Sequence, residues 1–513
     1  MFRTYRRQLA ALLTVLSAVP LLSMQDTSRI EISTGPSTDA SAIRVMHASV
    51  DSTVLRLHVA AVGQDGRVPS SSLVGSWTVA VRCRDSVTGI VATPEPLPRG
   101  LERATSSATV LCLDNSAASN GTAERVVGAM RLFGYGLTDA DSIAVLAYDH
   151  AITELTPFVS GSALPTSLFD APAQQGLSAM YTAAVTGIAM LETMATPTRD
   201  LIVVSATDDN ASITHDLASV VQRAREAGVR VSVIRVGQSS LGYVGRYLAG
   251  ATGGMYAHVH KDSAVAAATM ARHIVMARRN YVDIAIDVPT AYTQAPDLDI
   301  AIEVLAGMTI ASDSIRLPLR PRQYPQQRIL VATFSNATDT ALQSFQNQLA
   351  MAAESLADDS SATLELIGHV DVEASRAMQQ STQRATLVAD ALVRLGAPAD
   401  RIRVRGEGAA RPLYAFELLP WHRRLNNRVE LRRRTDDPYP YDVVVAKVRT
   451  EQQAQEAISL WQERGFNAYF DSMIANGEPA YRVLLWGYTT RSEAEAAAAI
   501  IRTEHKISSA YVD

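Results

Sequence analysis

Apolar and polar positions alternate from about residue 40 to 95, as in Val54-Leu-Arg-Leu-His-Val59 and Trp77-Thr-Val-Ala-Val-Arg-Cys83. Successive side chains of a strand face opposite sides, so this pattern, with turn chemistry at Gly63-Gln-Asp-Gly66, predicts a small β-sandwich. From about 105 to 280 the pattern changes to strands at 109–113, 142–148, 200–206 and 229–236, separated by helix-length segments. One of these, 213–227, has helical apolar spacing. Alternation of this kind predicts a doubly wound α/β domain, whose site lies at the carboxyl ends of its strands. A second alternating stretch follows at 281–317, and if it completes the sandwich the α/β domain is an insertion.

A joint with Pro318, Pro321 and Pro325 leads into 329–434, which reads as β, helix, β, helix, β, β. Leu342, Phe345, Leu349 and Leu356 share one helical face, as do Ala385, Val388, Leu392 and Leu395. A second joint, Asp436-Asp-Pro-Tyr-Pro440, opens the segment 441–513. There Thr450 and Thr490 each start a helix after a Val-rich strand, with Gln453 and Glu493 three residues on. Both are capping boxes, so this segment reads as two copies of a strand–helix–strand unit. At the other end, Arg3, Arg6 and Arg7 precede an uncharged apolar run at 9–22, the layout of a secretory signal peptide over 1–25. The mature chain is then exported, and no other apolar run is long enough to span a membrane.

Composition adds exclusions. With 47% hydrophobic and 19% charged residues the chain is globular and, at 513 residues, multidomain. A net charge of −5 excludes a globally basic nucleic-acid binder. Two cysteines exclude a disulfide framework and a Cys-rich metal site. Cys83 and Cys112 lie in strands, either bridged or as two buried thiols. No Gly-x-Ser-x-Gly, His-Glu-x-x-His or P-loop occurs, so neither an enzyme nor a cofactor is expected. His258 and His260 share a strand face without a third ligand nearby, which favours exposed histidines over a metal pair.

Charge-bearing chemistry concentrates in 329–434. Asp371 follows a strand in Gly368-His-Val-Asp371, and Arg384 lies thirteen residues on in Ser381-Thr-Gln-Arg384-Ala385, near a helix start. Such a pair suits a zwitterion, the Asp taking an ammonium and the Arg a carboxylate. An ordinary Asp–Arg salt bridge is the competing reading. Further on, residues 401–434 hold ten Arg and three Glu, a local net of +7 that suits a polyanion.

With Gly396-Ala-Pro-Ala-Asp-Arg-Ile402, Gly406-Glu-Gly408 and Asn426-Asn-Arg428-Val-Glu430, the whole segment resembles the OmpA-like peptidoglycan-binding domain, an α+β fold. The resemblance implies that Asp371 and Arg384 bind the meso-diaminopimelate of the stem peptide, with His369 and Arg428 beside them. Val370 stands where that family usually has Thr, and the Gly after the Asp is missing. Residues 441–513 resemble a SPOR domain, βαββαβ, which recognises glycan strands lacking stem peptides; Tyr481 and Arg482 match its binding role, and Trp486, where that family has Gly-Pro, is either a sugar-stacking ring or a core aromatic. The 105–280 segment resembles a von Willebrand factor A-type domain, through Asp114-Asn-Ser116-Ala-Ala118 and Ala249-Gly-Ala-Thr-Gly-Gly-Met-Tyr256. That family holds a divalent cation through Asp-x-Ser-x-Ser, a distant Thr and a distant Asp. Here only Asp114, Ser116 and Ser178 remain, and Ala206 stands at the distant Asp, a vestigial set unfit for a hard cation. Together these imply a non-catalytic periplasmic protein of a diderm bacterium that binds peptidoglycan and anchors the envelope. Its von Willebrand-type domain would meet an unknown protein partner; the alternative makes that domain an adhesion module with the wall domains as tethers.

Overall fold

The computed structural model describes residues 42–62, 76–83, 90–92, 106–116, 122–169, 177–196, 198–237, 243–260, 262–277, 281–293, 295, 297–306, 309–319, 329–335, 342–417, 420–434, 439–475 and 477–513. The expected leader 1–25, the turn 63–66, Ala118, Pro321, Pro325 and residues 436–438 lie outside them.

Strands β1 (Ala42–Asp51), β2 (Val54–Val62), β3 (Ser76–Cys83) and β4 (Ile90–Ala92) come first. The chain then builds a six-stranded domain from β5 (Ser107–Asp114), α1 (Thr122–Ala129), β6 (Asp141–Tyr148), β7 (Ile152–Ser160), α2 (Met180–Glu192), β8 (Arg199–Ser205), α3 (Leu217–Glu226), β9 (Arg230–Gly237), α4 (Tyr243–Thr252), β10 (Tyr256–His260) and α5 (Ala264–Ala277). It returns through β11 (Tyr281–Asp287), β12 (Asp297–Ala306) and β13 (Thr309–Pro318).

The returning strands share sheets with the first ones, in the orders β1-β2-β11 and β13-β12-β3-β4. Period-two register sets the sandwich core. Leu55 faces Ile286, Leu57 faces Ile284, Val79 faces Ile302 and Val81 faces Ile300. All are buried, while Arg56 between Leu55 and Leu57 and Arg82 next to Val81 are exposed, and each fully buried aliphatic side chain contributes about 1.5–3 kcal/mol. The α/β domain is therefore inserted within the sandwich.

Its sheet runs β10-β9-β8-β5-β6-β7, parallel except at the β6–β7 edge pair. Odd and even positions feed two cores. Leu111, Leu113, Ile202 and Val204 pack with residues of α1 and α5, whereas Val110, Cys112, Leu201 and Val203 pack with α2, α3 and α4. Helix α3 starts later than its apolar spacing suggests. Asp216 caps it in a capping box with Ser219, and Ile213 is left to the preceding loop. Cys83 and Cys112 are both buried and free, and burial pushes the Cys112 thiol up, so it acts as a small hydrophobe.

The next domain comprises β14 (Ile329–Thr333), α6 (Gln346–Asp358), β15 (Thr363–Gly368), α7 (Ala377–Arg394), β16 (Ile402–Gly406), α8 (Pro420–Asn426) and β17 (Arg428–Arg434). Its sheet order is β14-β17-β15-β16, with Leu349, Leu356, Val388 and Leu392 in the core under the two long helices. The last domain follows the βαββαβ order: β18 (Tyr441–Val448), α9 (Glu451–Glu463), β19 (Asn467–Ala475), β20 (Glu478–Tyr488), α10 (Arg491–Glu504) and β21 (Tyr511–Val512). Thr450 and Thr490 form both expected capping boxes. No helix among the described residues is long and apolar enough to cross a membrane.

Candidate functional site

Gly368 ends β15 where α7 comes closest. A Cβ there would lie 1.8 Å from the Ser381 carbonyl oxygen, so only glycine lets helix and strand meet. The chain beyond is held on both sides, with His369 N–H donating to the Arg428 carbonyl and Val370 N–H to the Gly408 carbonyl. Asp371 is thereby set beside the start of β17. Helix α7 begins at Ala377 and not near Ser381, so Arg384 sits in its third turn, over the strand end.

One amide joins the two charges. Asn427 Nδ2 donates to Asp371 Oδ2 at 2.8 Å, and Asn427 Oδ1 accepts from Arg384 Nη1 at 2.6 Å and from Asp371 N–H at 3.0 Å. Arg384 also donates to the His369 carbonyl at 3.1 Å, and its guanidinium lies 5.1 Å from the Phe334 ring centroid. Asp371 is half-buried and its second oxygen accepts from Glu373 N–H at 3.0 Å, whereas Arg384 is only 4% exposed. The two expected residues do share one site. They are coupled through Asn427, which the sequence reading passed over, and no direct salt bridge joins them among the described ion pairs. Its sequence signal was the Asn-Asn pair before β17: Asn427 serves the site, while Asn426 accepts from Leu413 N–H at 2.7 Å and Tyr414 N–H at 2.9 Å to shape the adjoining loop.

His369 and Arg428, expected beside the ligand, are turned inward. Arg428 is fully buried; its Nε donates to Glu430 at 2.8 Å and its Nη2 to the Arg411 carbonyl at 3.1 Å. His369 is 2% exposed, with Nε2 3.7 Å from Glu430. An arginine enters the interior only with such partners, so Arg428 braces β17.

The three residues expected to meet glycan are likewise packed. Tyr481 lies in the last domain's core, 5.7 Å from Phe470 and 6.4 Å from Phe416 between ring centroids, and burial pushes its hydroxyl up to about 12. Arg482 is gripped by Asp471 at 2.5 and 2.9 Å and by Asp513 at 2.9 Å. Trp486 is buried against Tyr439. The loop 407–417 of the preceding domain reaches this one: Ile474 N–H donates to the Ala410 carbonyl at 3.1 Å and Ser472 Oγ to the Leu413 carbonyl at 2.8 Å. Ala415 joins the same core, and Arg411 lies 3.6 Å from Asp513.

In the six-stranded domain Asp114 is spent on its own chain. Its Oδ2 accepts from Ala206 N–H at 2.9 Å and from Thr207 N–H and Oγ1 at 3.1 Å; its Oδ1 accepts from Ser116 N–H at 2.9 Å. Asp209, buried, accepts from Tyr181 N–H at 2.7 Å and from Ser212, and Asp208 pairs with Arg235 at 3.2 Å. A hard cation needs oxygen lone pairs aimed at one point. Here four donor contacts occupy the Asp114 carboxylate and Ala206 supplies no oxygen, so the set Asp114, Ser116 and Ser178 does not make such a cage. His258 is half-buried and His260, exposed, stands 3.4 Å from Asp262.

Residues 332–417 match the model of the OmpA family and residues 437–513 that of the SPOR domain. No curated protein matches the chain. Among solved structures, proximal thread matrix protein 1 from the mussel byssus is similar at 15% identity over 36% of this chain and 48% of its own, about half its length, with a TM-score of 0.29. A von Willebrand factor type A protein from Catenulispora acidiphila aligns at 12% identity over 71% of this chain and 88% of its own, TM-score 0.32. The peptidoglycan-associated lipoprotein of Burkholderia pseudomallei aligns at 18% identity over 21% of this chain and 90% of its own, TM-score 0.19. OmpA-family and SPOR domains are non-catalytic binding domains typical of the cell envelope, and their succession in this chain supports peptidoglycan binding.

Proposed function

We propose that this protein anchors or organises the envelope by gripping peptidoglycan in the periplasm, the OmpA-like domain taking the diaminopimelate of a stem peptide. The observation that carries the reading is the Asp371–Asn427–Arg384 arrangement, with its acid half-buried and accessible beside a guanidinium. An ammonium would be drawn to Asp371, and a carboxylate to the field of Arg384, whose charge is preorganised by Asn427 and Phe334. The SPOR domain adds a second wall contact on glycan strands, and two linked weak contacts raise avidity through effective concentration. With Tyr481, Arg482 and Trp486 packed, such a contact falls to other residues of that domain. Secretion by residues 1–25 belongs to the same reading.

Co-sedimentation of the full chain with purified sacculi tests it. The wild type is expected to pellet, and Asp371→Ala to remain in the supernatant while still unfolding cooperatively, at a cost of about 1–3 kcal/mol for the donors of Asn427 and Glu373 left behind. Equal pelleting of wild type and variant would remove the stem-peptide site from the account and shift the weight to the SPOR domain.

A further inference from the structure

The loops at the carboxyl ends of β6 and β8, and the turn before α2, are open to solvent only in part. They meet the OmpA-like domain. Asn210 C=O accepts from Leu330 N–H at 2.7 Å, which adds a backbone hydrogen bond to the outer edge of β14. Gln348, 1% exposed, donates toward the Ala211 and Leu330 carbonyls at 3.4 Å and so straddles the two domains. His150 Nε2 lies 2.8 Å from the Ser344 carbonyl, and its ring is 5.3 Å from that of Phe345. Between these polar contacts, Leu177, Ala179, Ala211 and Ile213 share one buried apolar cluster with Leu330, Phe345 and Leu349.

The loops are stiffened for this. Ser178 C=O accepts from Asn210 N–H at 2.9 Å and Ala211 N–H at 3.1 Å, and Asn210 Oδ1 accepts from Ser178 N–H at 2.8 Å. Asp209 ties the same loop to the first turn of α2 through Tyr181 N–H. An exposed edge strand invites foreign pairing, and β14 has its edge covered in this way. The carboxyl-end face is also where a doubly wound sheet usually takes its ligand. In this chain the two facts meet: Asp114 is closed by Thr207, and the neighbouring loops are seated on another domain.

We propose that the carboxyl-end face of the α/β domain is a metal-independent docking surface for the OmpA-like domain of the same chain. The two domains then move as one body, and any external protein partner of the α/β domain uses a different face. The inference stands whether or not the wall site binds its ligand.

Amide hydrogen exchange on the full chain tests it. Leu330 N–H points away from β17, so without the docked loop it would exchange as an open edge amide. Docking predicts protection of at least about a hundredfold, and Ala211→Asp, which puts a charge into the apolar junction, is expected to abolish it. Amides of β17 such as Leu431 serve as the internal control, and should keep their protection in the variant. Gln348→Ala gives a milder second variant, with Leu330 protection reduced at least about tenfold while both domains stay folded. Fast exchange of Leu330 in the wild type, or protection unmoved by both variants, overturns the docking. A rise in melting temperature on adding magnesium or manganese chloride overturns the metal independence.

Discussion

At the scale of single residues, Asn427 sets the geometry of the proposed wall site, because its amide holds the Asp371 carboxylate on one side and the Arg384 guanidinium on the other. Asn427→Ala should abolish sacculus pelleting as Asp371→Ala does, and destabilise the protein by about 1–3 kcal/mol, read by urea unfolding, since buried groups lose their partner. Arg428→Ala has a different signature. It takes the Nε and Nη2 donors away from buried Glu430, so a loss of about 3–5 kcal/mol is expected in the same titration, and Arg428→Lys should restore little because it cannot bond both Glu430 and the Arg411 carbonyl. Asp209 carries a pH effect, its carboxyl raised by burial to about 6. An acid raised in the folded state binds its proton more tightly there than in the unfolded chain, so its contribution opposes folding above pH 6 and fades as pH falls through the interval down to the unfolded value near about 4. Thermal unfolding between these limits should therefore show a less negative pH slope in Asp209→Asn than in the wild type. That Asp371 and Arg384 come together was legible in the sequence, because residue type and family spacing point at them. The inward turn of Arg428 was not, since it depends on Glu430 two residues on along the same strand face.

Among the elements, the close approach of β15 and α7 positions the site. Gly368→Ala would drive a methyl into the Ser381 carbonyl, backbone against backbone, so the OmpA-like domain should fail to fold or lose several kcal/mol, roughly the upper range of point substitutions, as circular dichroism melts would show. Thr450→Ala and Thr490→Ala should each cost about 0.5–2 kcal/mol by removing a cap, measurable as separate shifts in denaturation midpoint. Both caps and the period-two sandwich strands were readable in the sequence because they depend on local spacing alone. Elements shaped by distant contacts were not. Ile213 carries helical spacing yet packs at the domain junction, and α3 starts only where Asp216 and Ser219 cap it. Strand β7 lacks an apolar face to betray it, because most of its residues are exposed or half-buried at the sheet edge. Likewise the loop 407–417 reads as an ordinary connection, and only the fold brings Ala410 and Leu413 onto β19.

Across the whole molecule, the sandwich is one unit built from both ends of an insertion, with β11 pairing to β2 and β12 to β3. The OmpA-like domain touches a neighbour on either side: the α/β domain along β14 and the SPOR domain through loop 407–417. Across the second junction Arg411 lies 3.6 Å from Asp513, which also accepts from Arg482, so one charge of the local +7 serves structure. The proposed wall binding therefore rests on the Asp371 site more than on the basic segment as a whole. The most direct test is calorimetric titration of the full chain with a soluble stem peptide carrying meso-diaminopimelate. Saturable binding is expected of the wild type and at least about tenfold weaker binding of Asp371→Ala, a difference near 1.4 kcal/mol. Equal affinity of the two proteins, or no binding by the wild type, would contradict it.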